Sequence, residues 1–129
     1  MATTKEVLEQ HLKSFGEGSL DGLLADYSPD AVLFIPDRPL KGAEEIKPFF
    51  QALLTEFAKP GASFSLEKQV IDGDYGYIVW RAETADQIYQ AATDTFFVSN
   101  GKIVAQSFFA TTVSKQAMAS VALTACGIV

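Results

Sequence analysis

Two side chains stand out in this chain of 129 residues as able to move a proton. His11 is its single histidine. It lies four residues from both Val7 and Phe15, so on a helix it shares their apolar face. An imidazole ionises near neutral pH, which suits a proton shuttle as well as one buried hydrogen bond. Both readings, structural and chemical, fit that placement. Asp94 sits in "AATDTFFV", with Ala92 and Phe96 on its own face of a strand. A carboxylate among apolar neighbours is costly unless it is paired or protonated. Either it faces outward, toward water or a second subunit, or it is a buried acid able to hydrogen-bond a ligand oxygen. A third candidate is "WRAE", Trp80 to Glu83, where Arg81 and Glu83 share a strand face. Its plainer reading is an exposed ion pair of small value. A fourth, Asp37 in "FIPDRP", reads as a turn residue accepting backbone N–H groups at a pocket rim.

The elements that must position these residues follow from periodicity. Thr3 and Glu6 have capping-box spacing, and Val7, Leu8, Leu12 and Phe15 recur at helical intervals behind them. Gly16 and Gly18 end that helix. Ser19 can cap a second, shorter one carrying Leu20, Leu23, Leu24 and Tyr27, which Pro29 stops. Ala31 to Ile35 reads as a short apolar strand. Gly42 to Ala58 is a third helix with a wide apolar stripe, and Pro48 either lies in its first turn or bends it. From Ser63 the period becomes strand-like, predicting strands at Ser63–Ile71, Tyr75–Thr84, Gln87–Val98 and Lys102–Val113. Asp72-Gly73-Asp74, Ala85-Asp86 and Asn100-Gly101 separate them with turn residues. Three helices followed by an antiparallel meander predict an α+β domain over residues 1–113, with 114–129 as a tail.

The face that Arg81 occupies depends on one hairpin. A two-residue turn at Ala85-Asp86 puts Tyr77, Val79, Arg81 and Glu83 on the face of Asp94. A three-residue turn puts Ile78, Trp80 and Ala82 there instead, because a one-residue slip reverses every side chain. The two-residue turn is the preferred reading.

Composition excludes several function classes. Net charge is −6, and Arg38 and Arg81 are the chain's two arginines, so no basic stripe is available for nucleic acid. One cysteine, Cys126, excludes an internal disulfide and fits a reducing compartment. With one histidine, one cysteine and no carboxylates at ligand spacing, no transition-metal site is expected. Gly16-Glu17-Gly18 follows a helix, whereas a nucleotide loop follows a strand. The first residues lack an apolar core, and no run approaches membrane-spanning length. A cytoplasmic protein with no membrane or nucleic-acid partner is expected.

"GSLDGLLADYSPDAVLFIP", "LKGAEEIKPFF" and "DTFFVSNGKIV" together resemble the NTF2-like superfamily, in particular its SnoaL-like and ketosteroid-isomerase-like branch. The resemblance implies an NTF2-like cone, three helices packed in a strongly curved, mostly antiparallel sheet around an apolar pocket. It also implies that His11 stands where ketosteroid isomerases carry the tyrosine of their oxyanion hole. Asp94 falls where they place a second donor, a neutral carboxylic acid of the kind known from ketosteroid isomerase itself. The isomerase base would fall at Ile35, which cannot abstract a proton, so authentic ketosteroid isomerisation is not expected. "WRAE" is similar to the Arg-x-Asp pair of limonene-epoxide-hydrolase-like members, but their further aspartate would fall near Phe108, leaving that arrangement incomplete.

The resulting expectation is a pocket for a small, largely hydrophobic carbonyl or ring compound. His11 and Asp94 would act on its oxygen, with Phe15, Tyr27, Phe34, Tyr77, Arg81, Gln106 and Phe108 in the wall. The chemistry would be cofactor-free isomerisation, cyclisation or hydration; the alternative is a non-catalytic binding or assembly module. A homodimer through the outer sheet face, with Tyr89, Ala91, Thr93 and Phe97, completes the expectation. Leucine in place of Asp94 should leave the fold intact.

Overall fold

The structure, a computed structural model, describes residues 1–116. Helix α1 (Thr4–Gly16) opens on the expected capping box: the Thr3 hydroxyl accepts from Glu6 N–H, and the Glu6 carboxylate accepts from Thr3 N–H. Its buried face carries Val7, Leu8 and His11. Helix α2 (Leu20–Ala25) is capped by Ser19 and folds back against α1. The chain then enters β1 (Tyr27–Ile35), so Tyr27 begins a strand and does not continue the helix. Pro29 stops the helix by sitting inside this extended segment, where its fixed φ is tolerated.

"FIPDRP" makes a tight hairpin. Strand β2 (Arg38–Lys41) pairs antiparallel with β1, with Ile35 opposite Arg38. Asp37 is an exposed turn residue. Helix α3 (Gly42–Ala58) follows directly, carrying Pro48 within it. Its first turn is tied down where the Glu45 side chain accepts from the Lys41 N–H, 2.8 Å away.

The remaining chain is the meander: β3 (Ser63–Asp72), β4 (Tyr75–Glu83), β5 (Gln87–Ser99) and β6 (Lys102–Ser114). The sheet order is β2-β1-β6-β5-β4-β3. The β1–β6 pair is parallel and every other pair antiparallel. Three helices against a curved, unclosed sheet form the expected α+β cone. Two strands stand between the second and third helices, so the helices do not all precede the sheet.

Turns form where local chemistry demands them. Asn100 and Gly101 both have positive φ, and Ser99 pairs with Lys102 around them. Ala85-Asp86 is a two-residue turn, since Thr84 N–H bonds Gln87 C=O and Glu83 pairs with Ile88. The register nevertheless differs from the one that turn implies. A β-bulge between Tyr89 and Ala91 shifts β5 by one residue against both neighbours, so Asp94 pairs with Ile78 and with Phe108. The extra residue bends the strand and reverses which β4 side chains share the face of Asp94. Ile78, Trp80 and Ala82 point inward and are buried, while Tyr77 and Arg81 are exposed on the outer face. The same bulge carries Tyr89 to the inner face, where it is buried, so it leaves the outer-face group expected to dimerise.

The core lies between the helices and the concave face. Leu8, Leu23, Leu33, Ile46, Phe96 and Ile103 are almost completely buried there. The tail from residue 117, with Cys126, lies outside the described residues. Among the described residues no helix is long and apolar enough to cross a membrane.

Candidate functional site

Beneath the curved sheet lies a narrow, mostly apolar cavity of about 50 Å³. Helix α1 contributes His11, Leu12 and Phe15, and α3 contributes Phe50 and Leu53. The strands supply Phe64, Ile78, Trp80, Asp94, Phe96, Gln106 and Phe108. His11, Phe15, Asp94, Gln106 and Phe108 thus come together from three separate parts of the chain.

Asp94 is 7% exposed and is the hub of a side-chain network. Its Oδ2 accepts from the Trp80 indole N–H at 2.8 Å, and its Oδ1 accepts from the Gln106 amide at 2.9 Å. The Tyr27 hydroxyl donates to the Gln106 carbonyl oxygen, fixing which end of that amide faces Asp94. Burial pushes the Asp94 carboxyl above the ordinary carboxylate range, because a charge here loses its water. The bonds from Trp80 and Gln106 and the nearby His11 oppose that rise without cancelling it. The Tyr27 hydroxyl is pushed up by burial first, and then by Asp94 and Asp26.

His11 is 6% exposed and does not bond Asp94. Its Nδ1 lies 3.1 Å from Oδ2 of Asp26, a buried carboxylate at the C-terminal cap of α2. The rings of Tyr27, Phe50 and Phe96 meet the imidazole edge-on at 5.5, 5.8 and 5.6 Å. These contacts hold the ring plane in one orientation.

Several expected wall residues lie elsewhere. Phe34 is 51% exposed, because β1 turns its odd residues Ala31 and Leu33 into the core and Phe34 away. Tyr77 and Arg81 are outside through the bulge already described. Tyr27 is buried and does not line the cavity, but it touches three residues that do: Gln106 through its hydroxyl, and His11 and Phe50 through its ring. No residue from Ile35 to Pro39 lines the cavity; Ile35 and Arg38 border a separate open depression with Leu40, Glu44 and Phe49. The hairpin is therefore not the rim of this cavity. Arg81 and Glu83 make no bond to one another, and Glu83 pairs with Lys115 at 3.3 Å.

Sequence reasoning placed Trp80 beside Asp94 only in the register it did not prefer, and it missed Asp26. A lone buried indole needs an acceptor for its N–H, which was a usable signal for Trp80 once the register is known. Asp26 carries no comparable signal, since its distance to His11 depends on how α2 folds back on α1. Among the described residues no three His, Cys, Asp or Glu side chains converge as metal ligands.

Comparison with known proteins places residues 8–106 in a match to the SnoaL-like domain. No curated protein matches the chain. Solved structures share the fold at low identity. The epoxide hydrolase/cyclase-like enzyme SalBIII, of pyran ring formation in the polyether salinomycin, is 16% identical with a TM-score of 0.72, covering 84% of this chain and 90% of its own. An NTF2-like protein from Cytophaga hutchinsonii is 10% identical with a TM-score of 0.71, covering 86% and 92%. A de novo designed protein with a curved β-sheet is 19% identical, also with a TM-score of 0.71, covering 84% of each chain.

Proposed function

The chain belongs to the SnoaL-like domain family, and from that premise we propose that it binds a small, largely apolar compound bearing an oxygen and acts on it by acid/base chemistry. The observation that carries this reading is Asp94, an acid of raised pKa set in an aromatic cavity that His11 also lines. A buried carboxyl that holds its proton can donate a hydrogen bond to a carbonyl oxygen, and apolar walls strengthen it. The reaction class is cofactor-free isomerisation, cyclisation or hydration. Shared fold does not select among these, as the likeness to a designed protein makes plain.

One observation favours the second reading, a non-catalytic binding module. Both Asp94 oxygens already accept protein donors, and among the described residues no buried polar side-chain atom lacks a partner. A fully satisfied network can serve structure alone. A thermal-shift screen of small cyclic ketones, phenols and matched hydrocarbons separates the two, because a ligand raises the melting temperature with occupancy. The acid/base reading expects oxygen-bearing compounds to stabilise more than their hydrocarbon counterparts, and Asp94→Asn to erase that preference. Equal stabilisation by both sets would favour the module.

The proposal extends to a second copy of the chain against the outer sheet face. Phe34, Val70, Tyr75, Tyr77 and Phe109 are exposed there, giving that face apolar surface that a partner would cover.

A further inference from the structure

We infer that Asp26 is a positioning residue whose carboxylate keeps a hydrogen on Nδ1 of His11, so that Nε2 meets the cavity as a proton acceptor. This rests on the acid/base reading of the cavity and assigns the direction in which its proton moves. A carboxylate accepts and cannot donate, so the 3.1 Å bond between Nδ1 and Asp26 Oδ2 requires the hydrogen to sit on Nδ1. Neutral imidazole then carries its lone pair on Nε2. The ring's hydrogen bond within the protein is the one at Nδ1. Because no buried polar side-chain atom among the described residues lacks a partner, Nε2 is not sealed in the core, and His11 lines the cavity.

The other polar groups at the cavity are already committed. The Trp80 and Gln106 donors serve Asp94, and the Tyr27 hydroxyl serves Gln106. Nε2 is left to take a hydrogen from whatever enters. The arrangement of a buried carboxylate behind an imidazole is the one that orients the base in hydrolase triads, here with no hydroxyl nucleophile. It reverses the donor role that family resemblance implies for His11.

The matching ligand presents an oxygen to Asp94 and an acidic hydrogen, O–H or C–H beside a carbonyl, to His11. In the step itself that ligand bond breaks, the proton bonds to Nε2, and the electron pair stays on the ligand. The imidazolium formed keeps its Nδ1–H on Asp26, which stabilises the new charge, and Nε2 returns the proton to the ligand or to water. No other reactant is required.

The single histidine makes the test direct. Long-range nitrogen–proton NMR of the full chain at about pH 8, above the ordinary imidazole range, reads both ring nitrogens without ambiguity. The Nδ1–H, Nε2-unprotonated form is expected. A hydrogen on Nε2, alone or with one on Nδ1, overturns the assignment. Asp26→Asn, whose amide can accept or donate, should give a mixture or the opposite tautomer, and an unchanged spectrum would show that Asp26 does not set it. Diethyl pyrocarbonate, which acylates imidazole nitrogens bearing a lone pair, should modify His11 in the folded protein and several-fold more slowly in Asp26→Asn. A histidine that reacts only after unfolding in urea would mark a purely structural contact. Should the variant not fold, the wild-type spectrum and the native-against-unfolded rates decide. None of these readouts needs a ligand, so their failure is distinct from an empty ligand screen.

Discussion

At the scale of single residues, Asp94 concentrates the tension between folding and function. With leucine there, the Trp80 indole and the Gln106 amide lose their acceptor, and each buried donor left unpaired costs about 1–3 kcal/mol. Asp94→Leu is therefore expected to lower the melting temperature clearly, contrary to what the apolar neighbours in the sequence suggest. Tyr27→Phe strips the donor from the Gln106 carbonyl and should destabilise by about 1–3 kcal/mol in chemical denaturation. The raised pKa of Asp94 also has a sign. Below the ordinary carboxylate range both folded and unfolded chains hold this proton, and its contribution to stability is full. As pH rises the unfolded chain releases it first, so that contribution is lost progressively through the folded pKa. Carbon-detected NMR should place the Asp94 midpoint above its ordinary 3.8. Relative to Asp94→Asn, the wild type should lose melting temperature as pH climbs through that window; a gain would contradict an Asp94 pKa raised by burial.

At the scale of elements, the site depends on how closely α1 packs on the sheet. Gly76 faces Leu8, and a Cβ built there would lie 2.5 Å from the Leu8 side chain, which is itself fully buried. Gly76→Ala should therefore push α1 from β4 and cost about 1–3 kcal/mol. Gly16→Ala, with open space and helical backbone, should be neutral or stabilise by about 0.5–1 kcal/mol. Calorimetry of the two variants checks the contrast. Here too lies the boundary of what the sequence could tell. The capping box at Thr3 and the Asn100-Gly101 turn were legible, because both are set by residues a few positions apart. The helices and long strands followed from periodicity over many residues. The bulge around Gln90 was not legible: no glycine or proline marks it, and it shows only in the pairing of β5 with both of its neighbours. That one residue decides whether Trp80 or Arg81 joins Asp94. The Asp26–His11 pair was hidden for a similar reason, since only the docking of α2 on α1 brings them together.

At the scale of the whole molecule, the outer sheet face predicts association. Tyr75 and Phe109 are each 58% exposed, and Tyr75 stacks on Phe97 of the next strand at 5.1 Å between rings. A dimer is expected by light scattering at micromolar concentration, with Phe109→Lys shifting it to monomer, because a buried lysine at the contact would be left unpaired. A monomeric wild type would remove the second copy from the account. The central claim, that the cavity receives an oxygen-bearing apolar molecule at Asp94, has its own built-in reporter. Trp80 is the chain's single tryptophan, and its indole N–H bonds Asp94 directly. The one measurement that tests the claim most directly is a titration of cyclohexanone, and of phenol, followed through the indole resonance in a nitrogen–proton spectrum. Saturable movement of that signal by at least one of the two, weakened in Asp94→Asn, is the predicted result. An indole signal that stays fixed up to the solubility of both compounds would contradict it.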